Sequence, residues 1–288
     1  MSALGGSFAL AGDLEVNRLG FGAMRITGKG IWGEPEDPAG ARALLRRVVE
    51  AGVNLIDTAD SYGPDVSENL IAEALHPYPE DVVIATKGGF ERPGPGRWQP
   101  ACRPERLKRC CEGSLRRLRL ERIDLYQLHT VDPQVPIEDS IGALAELRDE
   151  GKIRHIGVSN VSGEELERAR AIAPLVSVQN RYNLTDRSAQ EVLDECEAAG
   201  LGFLPWAPVA RGDLAGPGGD PAKPGGPLDV VARAHDATPA QVAVAWLLQR
   251  SPVMLPIPGT GSIAHLDENL EAAELELSPE EIEMLDAV

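Results

Sequence analysis

The chain has 288 residues, of which 43% are hydrophobic and 25% charged, as is typical of a globular protein with a sizeable core. Its net charge of −17 argues against nucleic acid or an anionic membrane surface as the main partner. No apolar run approaches the roughly 18 residues of a membrane span, and the N-terminus does not resemble a signal peptide. We therefore expect a cytoplasmic protein whose four cysteines are free thiols in a reducing compartment.

The predicted secondary structure begins with a hairpin that pairs residues 7–10 with 14–16. Strands then alternate with helices. The strands are predicted at 19–24, 54–57, 82–86, 123–128, 154–158, 176–179, 202–206 and 253–257. The helices are predicted at 39–51, 66–75, 104–118, 137–150, 163–172, 188–199, 228–235, 239–250, 263–272 and 279–287.

This alternation predicts one α/β domain over residues 1–288. Alternating strand–helix units make a parallel sheet, and eight of them predict a closed (β/α)8 TIM barrel. Extra helices are expected after the seventh barrel strand and at the C-terminus. The segment 212–227 is rich in glycine and proline and follows the seventh strand, so we interpret it as an active-site loop.

Polar side chains stand where successive barrel strands end, which is where such barrels carry their active sites. Asp57 ends the second barrel strand and Tyr62 follows on its loop, while Lys87 and His129 end the third and fourth strands. Taken singly, each is compatible with an ordinary turn, packing or surface residue. Their occurrence at successive strand ends favours a shared site.

The residue types suit the reduction of a carbonyl group. A tyrosine hydroxyl titrates near pH 10, and a nearby lysine would lower that pKa, so that Tyr62 could act as a general acid. Asp57 would pair with Lys87, and His129 would orient the carbonyl oxygen of the substrate. The sequence shows no set of metal ligands, so an organic cofactor is expected to supply the hydride.

The motifs resemble the aldo-keto reductase superfamily over nearly the whole chain. The resemblance lies in Asn54–Gly63, together with residues 85–87, 124–129, 151–160 and 256–260. That superfamily is a (β/α)8 barrel that reduces aldehydes and ketones with NADPH, sometimes NADH. The resemblance implies that the hairpin caps the bottom of the barrel and that the catalytic residues are Asp57, Tyr62, Lys87 and His129.

The resemblance also implies a site for NADPH, with NADH possible. Four side chains at the ends of the fifth, sixth and seventh barrel strands resemble those that bind and stack on the nicotinamide: Ser159, Asn160, Gln179 and Trp206. The expected pyrophosphate loop includes Ala207, Pro208, Gly212 and Leu214. The pair that resembles the adenine-binding residues is Glu268 and Asn269.

Residues 259–264 match G-x-G-x-x-A and so imitate a dinucleotide fingerprint of the Rossmann fold. They lie in the eighth unit rather than the first, and no acidic residue follows at the expected distance in a further strand. The phosphate site that (β/α)8 barrels place at a helix N-terminus after the eighth strand is therefore the better interpretation. Its expected residues are Gly259, Thr260, Gly261 and Ser262.

One departure from the family concerns the adenosine 2′-phosphate. Many members bind it with a lysine and an arginine, and those positions hold Gly259 and His265 here. Histidine is cationic only part of the time near neutral pH. We therefore expect a weaker preference for NADPH than is usual in the family.

The expected substrate is a small carbonyl compound in an apolar pocket that includes Met24, Trp32 and Trp98. A monomer or weak oligomer is expected. One alternative is a regulatory or redox-sensing subunit that binds the cofactor on the same fold. Another is a barrel isomerase acting on a phosphorylated sugar, which would leave Trp206 and the pair Ser159 and Asn160 unexplained.

Overall fold

The computed structural model describes residues 4–209 and 225–288. The strands are β1 (Ser7–Leu10), β2 (Leu14–Asn17), β3 (Phe21–Gly22), β4 (Leu55–Asp57), β5 (Val83–Gly88), β6 (Phe90–Gly94), β7 (Arg97–Pro100), β8 (Ile123–Leu128), β9 (Ile153–Ser159), β10 (Ser177–Gln179) and β11 (Gly202–Phe203). The helices are α1 (Pro38–Glu50), α2 (Val66–Leu75), α3 (Pro104–Leu118), α4 (Ile137–Asp149), α5 (Gly163–Ile172), α6 (Gln190–Ala199), α7 (Pro227–Ala234), α8 (Pro239–Arg250), α9 (Ile263–Glu271) and α10 (Pro279–Asp286).

A seven-stranded parallel sheet curls around the core in the order β11-β10-β9-β8-β5-β4-β3. Its register sets the polar strand ends side by side. Asp57 lies opposite Gly22 on one neighbouring strand and Ala85 on the other, and Gln179 lies opposite Ser159. Because all seven strands run the same way, these side chains meet at one edge of the sheet.

Residues 253–258 close the barrel without forming the predicted eighth strand. On one side the Phe203 amide donates to the Val253 carbonyl at 2.8 Å, and on the other the Gly20 amide donates to the Pro256 carbonyl at 3.0 Å. Two prolines in this segment have no N–H to donate, so a regular ladder cannot form there. The predicted (β/α)8 architecture is confirmed, with the irregular segment 253–258 in the place of the eighth strand.

Two other barrel strands are shorter than predicted. The predicted strand 19–24 is regular only at Phe21–Gly22 and then turns into the 3-10 helix Ala23–Ile26. The predicted strand 202–206 is regular only at Gly202–Phe203. Both therefore reach the mouth of the barrel as loops, and β3 is followed by a turn that faces the same mouth.

The N-terminal hairpin caps the barrel, as expected. Leu10 and Val16 are fully buried and belong to one apolar cluster with Leu55, Val83 and Leu255 from the barrel interior. Burial of this kind stabilises a fold by about 25 cal/mol for each Å² of apolar surface removed from water. The hairpin therefore seals the end of the barrel away from the polar strand ends.

Some of the helices begin at a residue whose side chain caps the first turn. The Ser278 hydroxyl accepts a hydrogen bond from the Glu281 amide, and the Glu281 carboxylate accepts one from the Ser278 amide, which fixes the start of α10. Thr238 and Gln241 do the same for α8. Within the described ranges, no helix is long and apolar enough to cross a membrane.

Candidate active site

A cavity of about 1150 Å³ opens at the carboxyl ends of the barrel strands. Ligand pockets usually measure roughly 300–1,000 Å³, so this one has room for a dinucleotide beside a small substrate. Its wall includes most of the predicted site residues. Those from the barrel strands and their loops are Met24, Asp57, Tyr62, Trp98, His129, Ser159, Asn160, Gln179, Trp206 and Pro208.

Lys87 lies beneath the cavity wall and joins two of the predicted catalytic residues. Its Nζ donates to Asp57 Oδ1 at 2.6 Å and to the Thr58 carbonyl at 2.9 Å, and it lies 3.5 Å from Tyr62 Oη. The Lys87 side chain is fully buried, and Asp57 and Tyr62 are nearly so. The phenol thus stands between a buried ammonium group and the open cavity.

The buried pair sets the charge of the group next to Tyr62. Burial lowers the pKa of Lys87, but the carboxylate of Asp57 and the hydrogen bonds to Asp57 and Tyr62 raise it, and the pKa lies above its ordinary value. Lys87 is therefore a permanent cation at neutral pH. Burial raises the pKa of Tyr62 above its ordinary value, and Lys87 offsets only part of that increase. The expected lowering of the Tyr62 pKa is wrong, and Tyr62 is a neutral phenol at neutral pH.

His129 completes the set from the end of β8. Its ring centroid lies 5.7 Å from that of Tyr62 in an edge-to-face arrangement, and its Nδ1 is 3.3 Å from Ser61 Oγ. Burial, followed by the charges of Lys87 and Arg92, holds the pKa of His129 well below its ordinary value. His129 is therefore a neutral imidazole at neutral pH and can offer one N–H to a ligand in the cavity.

Asp57 is held by more partners than the sequence suggests. Its second oxygen, Oδ2, accepts hydrogen bonds from Gln179 Nε2 at 2.8 Å and from Gln127 Nε2 at 3.3 Å. Gln179 was expected only as a nicotinamide contact. Its amide instead connects the predicted cofactor side of the cavity directly to the Asp57–Lys87 pair.

A second group of polar side chains surrounds Trp206. Asn160 has a left-handed backbone, with φ of 58°, and its Nδ2 donates to Ser159 Oγ and to the His129 carbonyl, each at 3.0 Å. Asn160 Oδ1 accepts from Trp206 Nε1 at 2.9 Å. The indole is half-buried and lines the cavity. One face of the cavity is therefore formed by the indole ring of Trp206, held by Asn160, beside the Asn160 amide and the Ser159 hydroxyl.

The far end of the cavity is the N-terminus of α9. The described wall there consists of Gly259, Thr260, Gly261, His265, Glu268 and Asn269. Ser262 is the N-cap but makes no side-chain cap hydrogen bond, and the first turn holds no acidic residue. The N–H groups of this turn therefore remain available to an anion. Ser262 itself does not line the wall, and its amide donates to Thr260 Oγ1 at 3.0 Å.

One predicted pocket residue, Trp32, is not brought to the described cavity wall, and two predicted loop residues lie outside the described ranges. Trp32 does not line the described wall, and its ring centroid lies 5.7 Å from the Arg92 guanidinium. Gly212, in the expected pyrophosphate loop, lies outside the described residues, as does Leu214. The remaining predicted members of this set line the cavity or contact residues that do.

The sequence interpretation missed the hairpin of β6 and β7, which covers the mouth beside His129. Phe90 and Trp98 line the cavity from it, and their rings lie 4.8 and 6.1 Å from the His129 ring. Arg92 stacks 3.7 Å from the Trp98 ring and donates to the Ser61 carbonyl at 2.7 Å. The Pro-Gly-Pro-Gly run at 93–96, between two aromatic residues, was a turn signal that could have indicated this hairpin.

Known proteins share both the sequence and the fold. Residues 18–288 match the Aldo/keto reductase family. An uncharacterized oxidoreductase of Schizosaccharomyces pombe is 50% identical, over 96% of this chain and 87% of its own length. Pyridoxine 4-dehydrogenase of Escherichia coli is 42% identical, over 96% of each chain.

A solved structure gives the same answer for the fold. An aldo/keto reductase from Klebsiella pneumoniae, determined in complex with NADP and acetate, superimposes with a TM-score of 0.82 and 27% identity. The match covers 100% of this chain and 95% of that one. Since the family match spans most of the sequence and the relatives align over almost their whole length, this chain belongs to the aldo/keto reductase family.

Proposed function

We propose that this protein reduces aldehydes or ketones to alcohols with NADPH, and that Tyr62 is the general acid. The observation that carries the proposal is the position of Lys87 Nζ, 2.6 Å from Asp57 and 3.5 Å from Tyr62 Oη. A neutral phenol on the cavity wall can give up a proton, and the ammonium group behind it stabilises the phenolate that forms. Buried charges of this kind act strongly because little water screens them.

The cavity suits a nicotinamide dinucleotide. The indole of Trp206 suits stacking on the nicotinamide ring, and the Asn160 amide and Ser159 hydroxyl suit hydrogen bonds to its carboxamide. The uncapped N–H groups at the start of α9 suit a phosphate. The Klebsiella pneumoniae relative was determined with NADP, which supports the same cofactor here. When bound, the reduced cofactor supplies the hydride.

The roles of the protein side chains follow from their protonation states. The neutral imidazole of His129 donates a hydrogen bond to the carbonyl oxygen and fixes its position beside Tyr62 Oη. Tyr62 transfers its proton to that oxygen as negative charge develops there. Lys87, held by Asp57, lowers the energy of the resulting phenolate, and Gln179 and Gln127 hold Asp57 in place.

The substrate end of the cavity favours a flat or aromatic carbonyl compound. The rings of Tyr62, Phe90, Trp98 and His129 meet edge-to-face there, at centroid distances of 4.8 to 6.3 Å. Aromatic pairs at such distances form a rigid apolar wall. The Escherichia coli relative bears the name pyridoxine 4-dehydrogenase, so pyridoxal belongs with benzaldehydes among the first compounds to test.

Replacing Tyr62 by phenylalanine tests the proposal. The substitution removes the transferable proton and preserves the ring, so turnover of a good aldehyde should fall by about 100-fold or more. Binding of NADPH, followed by quenching of tryptophan fluorescence, should stay within about twofold of the original protein.

Two results would contradict the proposal. Undiminished turnover in Tyr62→Phe would remove Tyr62 as the acid. Absence of turnover across an aldehyde and ketone panel, with NADPH bound and a stoichiometric partner recovered, would instead favour a regulatory or redox-sensing subunit. A protein that binds no nicotinamide cofactor would revive the isomerase alternative.

A further inference from the structure

Arg25 is the permanent cation on the described wall of the cavity. It belongs to the 3-10 helix that follows β3, and its side chain is exposed. Within residues 4–209 and 225–288 it makes no ion pair and no side-chain hydrogen bond. The lining residues at the α9 end of the cavity include His265 and the acidic Glu268. Arg25 therefore brings a guanidinium group without an ion pair in the described structure to the wall of this cavity.

The backbone explains why the usual lysine is missing from position 259. A Cβ atom at Gly259 would lie 2.4 Å from the carbonyl oxygen of Gly22, and one at Gly22 would lie 2.7 Å from the carbonyl oxygen of Ile257. Both contacts are with backbone and cannot be relieved by moving a side chain. The backbone at Gly22 and the backbone that follows segment 253–258 are thus packed so closely that no lysine fits at position 259.

The same close approach brings Arg25 to the phosphate end. Arg25 follows Gly22 by three residues, and its carbonyl oxygen lies 3.5 Å from a Cβ placed on Gly261. Gly261 and Thr260 precede α9, whose first N–H groups lack a side-chain cap. The packing that excludes a lysine at 259 therefore supplies a different cation from the opposite segment.

We propose that Arg25 binds the 2′-phosphate of NADPH and sets the preference of this protein for NADPH over NADH. The inference rests on the proposed use of a nicotinamide dinucleotide. A guanidinium group presents a planar fork of donors that matches a phosphate and stays charged at all physiological pH values. Glu268 adds a negative charge to the same wall, and a cation there offsets it when a phosphate binds.

Substitution of Arg25 by methionine tests the assignment, because methionine keeps an unbranched side chain and removes the charge. Cofactor affinity is measured from the quenching of tryptophan fluorescence, with NADPH and NADH titrated separately. The dissociation constant for NADPH should rise about tenfold, which is about 1.4 kcal/mol, and that for NADH should change by less than about twofold. Arg25→Lys should retain part of the preference, since it keeps the charge without the fork.

Two controls separate the contact from general charge effects. Lys29→Met removes one positive charge from the same loop at an exposed residue that does not line the cavity, and it should leave both affinities unchanged. Adenosine 2′,5′-bisphosphate carries the 2′-phosphate without the nicotinamide. Titrated into cofactor-free protein, it should bind more weakly to Arg25→Met than to the original protein. Circular dichroism checks that each variant is folded.

Three outcomes would overturn the assignment. Equal weakening of NADPH and NADH would place Arg25 on the pyrophosphate, and unchanged affinity for both would remove it from the site. Loss of the preference in His265→Ala, with its retention in Arg25→Met, would assign the 2′-phosphate to His265. If the original protein binds neither cofactor, the proposed function fails first. If it binds NADPH tightly but reduces no carbonyl compound, the inference about Arg25 stands.

Discussion

Lys87 is a fully buried lysine whose charge is compatible with the interior only because Asp57 lies 2.6 Å away. Desolvation of such a pair costs as much as its attraction returns, so the pair contributes little net stability. Its value is chemical, since it fixes a positive charge 3.5 Å from Tyr62 Oη. The buried ammonium group of Lys87 therefore acts on the Tyr62 phenol rather than on the stability of the fold.

Lys87→Met should destabilise the protein, because it leaves the carboxylate of Asp57 buried without its cation. We expect a loss of about 3–5 kcal/mol in the free energy of unfolding, measured by urea denaturation. The double variant Asp57→Asn with Lys87→Met should recover much of that loss, since no uncompensated charge remains. Both variants should lose carbonyl reduction. A single variant as stable as the original protein would show that Asp57 is not held as a carboxylate by Lys87.

Behind the site, the loop after β4 and helices α2 and α3 enclose a second buried polar cluster. Glu68 is fully buried and accepts from Thr86 Oγ1 and from Arg117 Nε, each at 2.6 Å. Asp60 lies close by, and one of its oxygens has no hydrogen-bond partner in the described structure. Burial, followed by the charge of Glu68, raises the pKa of Asp60 to about 7.

This pKa predicts how stability changes with pH. The unfolded carboxyl titrates near pH 4, so between about pH 4 and 7 the folded protein holds a proton that the unfolded chain releases. The stability associated with protonated Asp60 is complete below about pH 4 and is lost as the pH rises through about 7.

Asp60→Asn keeps a neutral group at every pH and should remove this loss. Its stability advantage over the original protein should grow by something on the order of 4 kcal/mol between pH 4 and pH 8, as followed by urea denaturation at each pH. Asp81→Asn, at an exposed residue, is the matched control and should show no such growth. A constant difference between Asp60→Asn and the original protein would mean that Asp60 is already ionised in the fold.

The closed barrel depends on contacts between the two ends of the chain. The Arg18 guanidinium donates to the carbonyl groups of Leu248 at 2.5 Å, Ser251 at 2.6 Å and Met254 at 3.3 Å. These carbonyl groups belong to the end of α8 and to the start of the irregular segment 253–258. Burial lowers the pKa of Arg18, but arginine remains charged at neutral pH. One side chain near the N-terminus thus anchors the segment that closes the barrel.

Arg18→Met should lower the free energy of unfolding by about 3 kcal/mol, because several buried carbonyls lose a charged donor. Arg18→Lys should restore little, since a single ammonium nitrogen cannot reach carbonyls spread over this distance. Arg46→Met, at an exposed residue of α1, is the control and should be nearly neutral. Equal stability of Arg18→Met and Arg46→Met would show that the barrel closes without this anchor.

The local pattern of the sequence determined the alternation of strands and helices, the capped helix starts and the polar residues at successive strand ends. Each of these depends on residues only a few positions apart, so periodicity and capping reveal them. The confirmed (β/α)8 fold followed from counting the units. The resemblance to the aldo-keto reductases also rested on contiguous motifs, and the family was therefore accessible without coordinates.

Only the tertiary structure decided how those residues act on one another. Gln179 holds Asp57 across 122 positions of the chain, and Arg92 fixes a hairpin beside His129, neither of which local periodicity encodes. Burial reversed the expected direction of the Tyr62 pKa, because desolvation depends on everything packed around the phenol. The contact between Gly22 and Gly259 likewise arises from two distant segments, and it is this contact that excludes a lysine and brings Arg25 to the cavity.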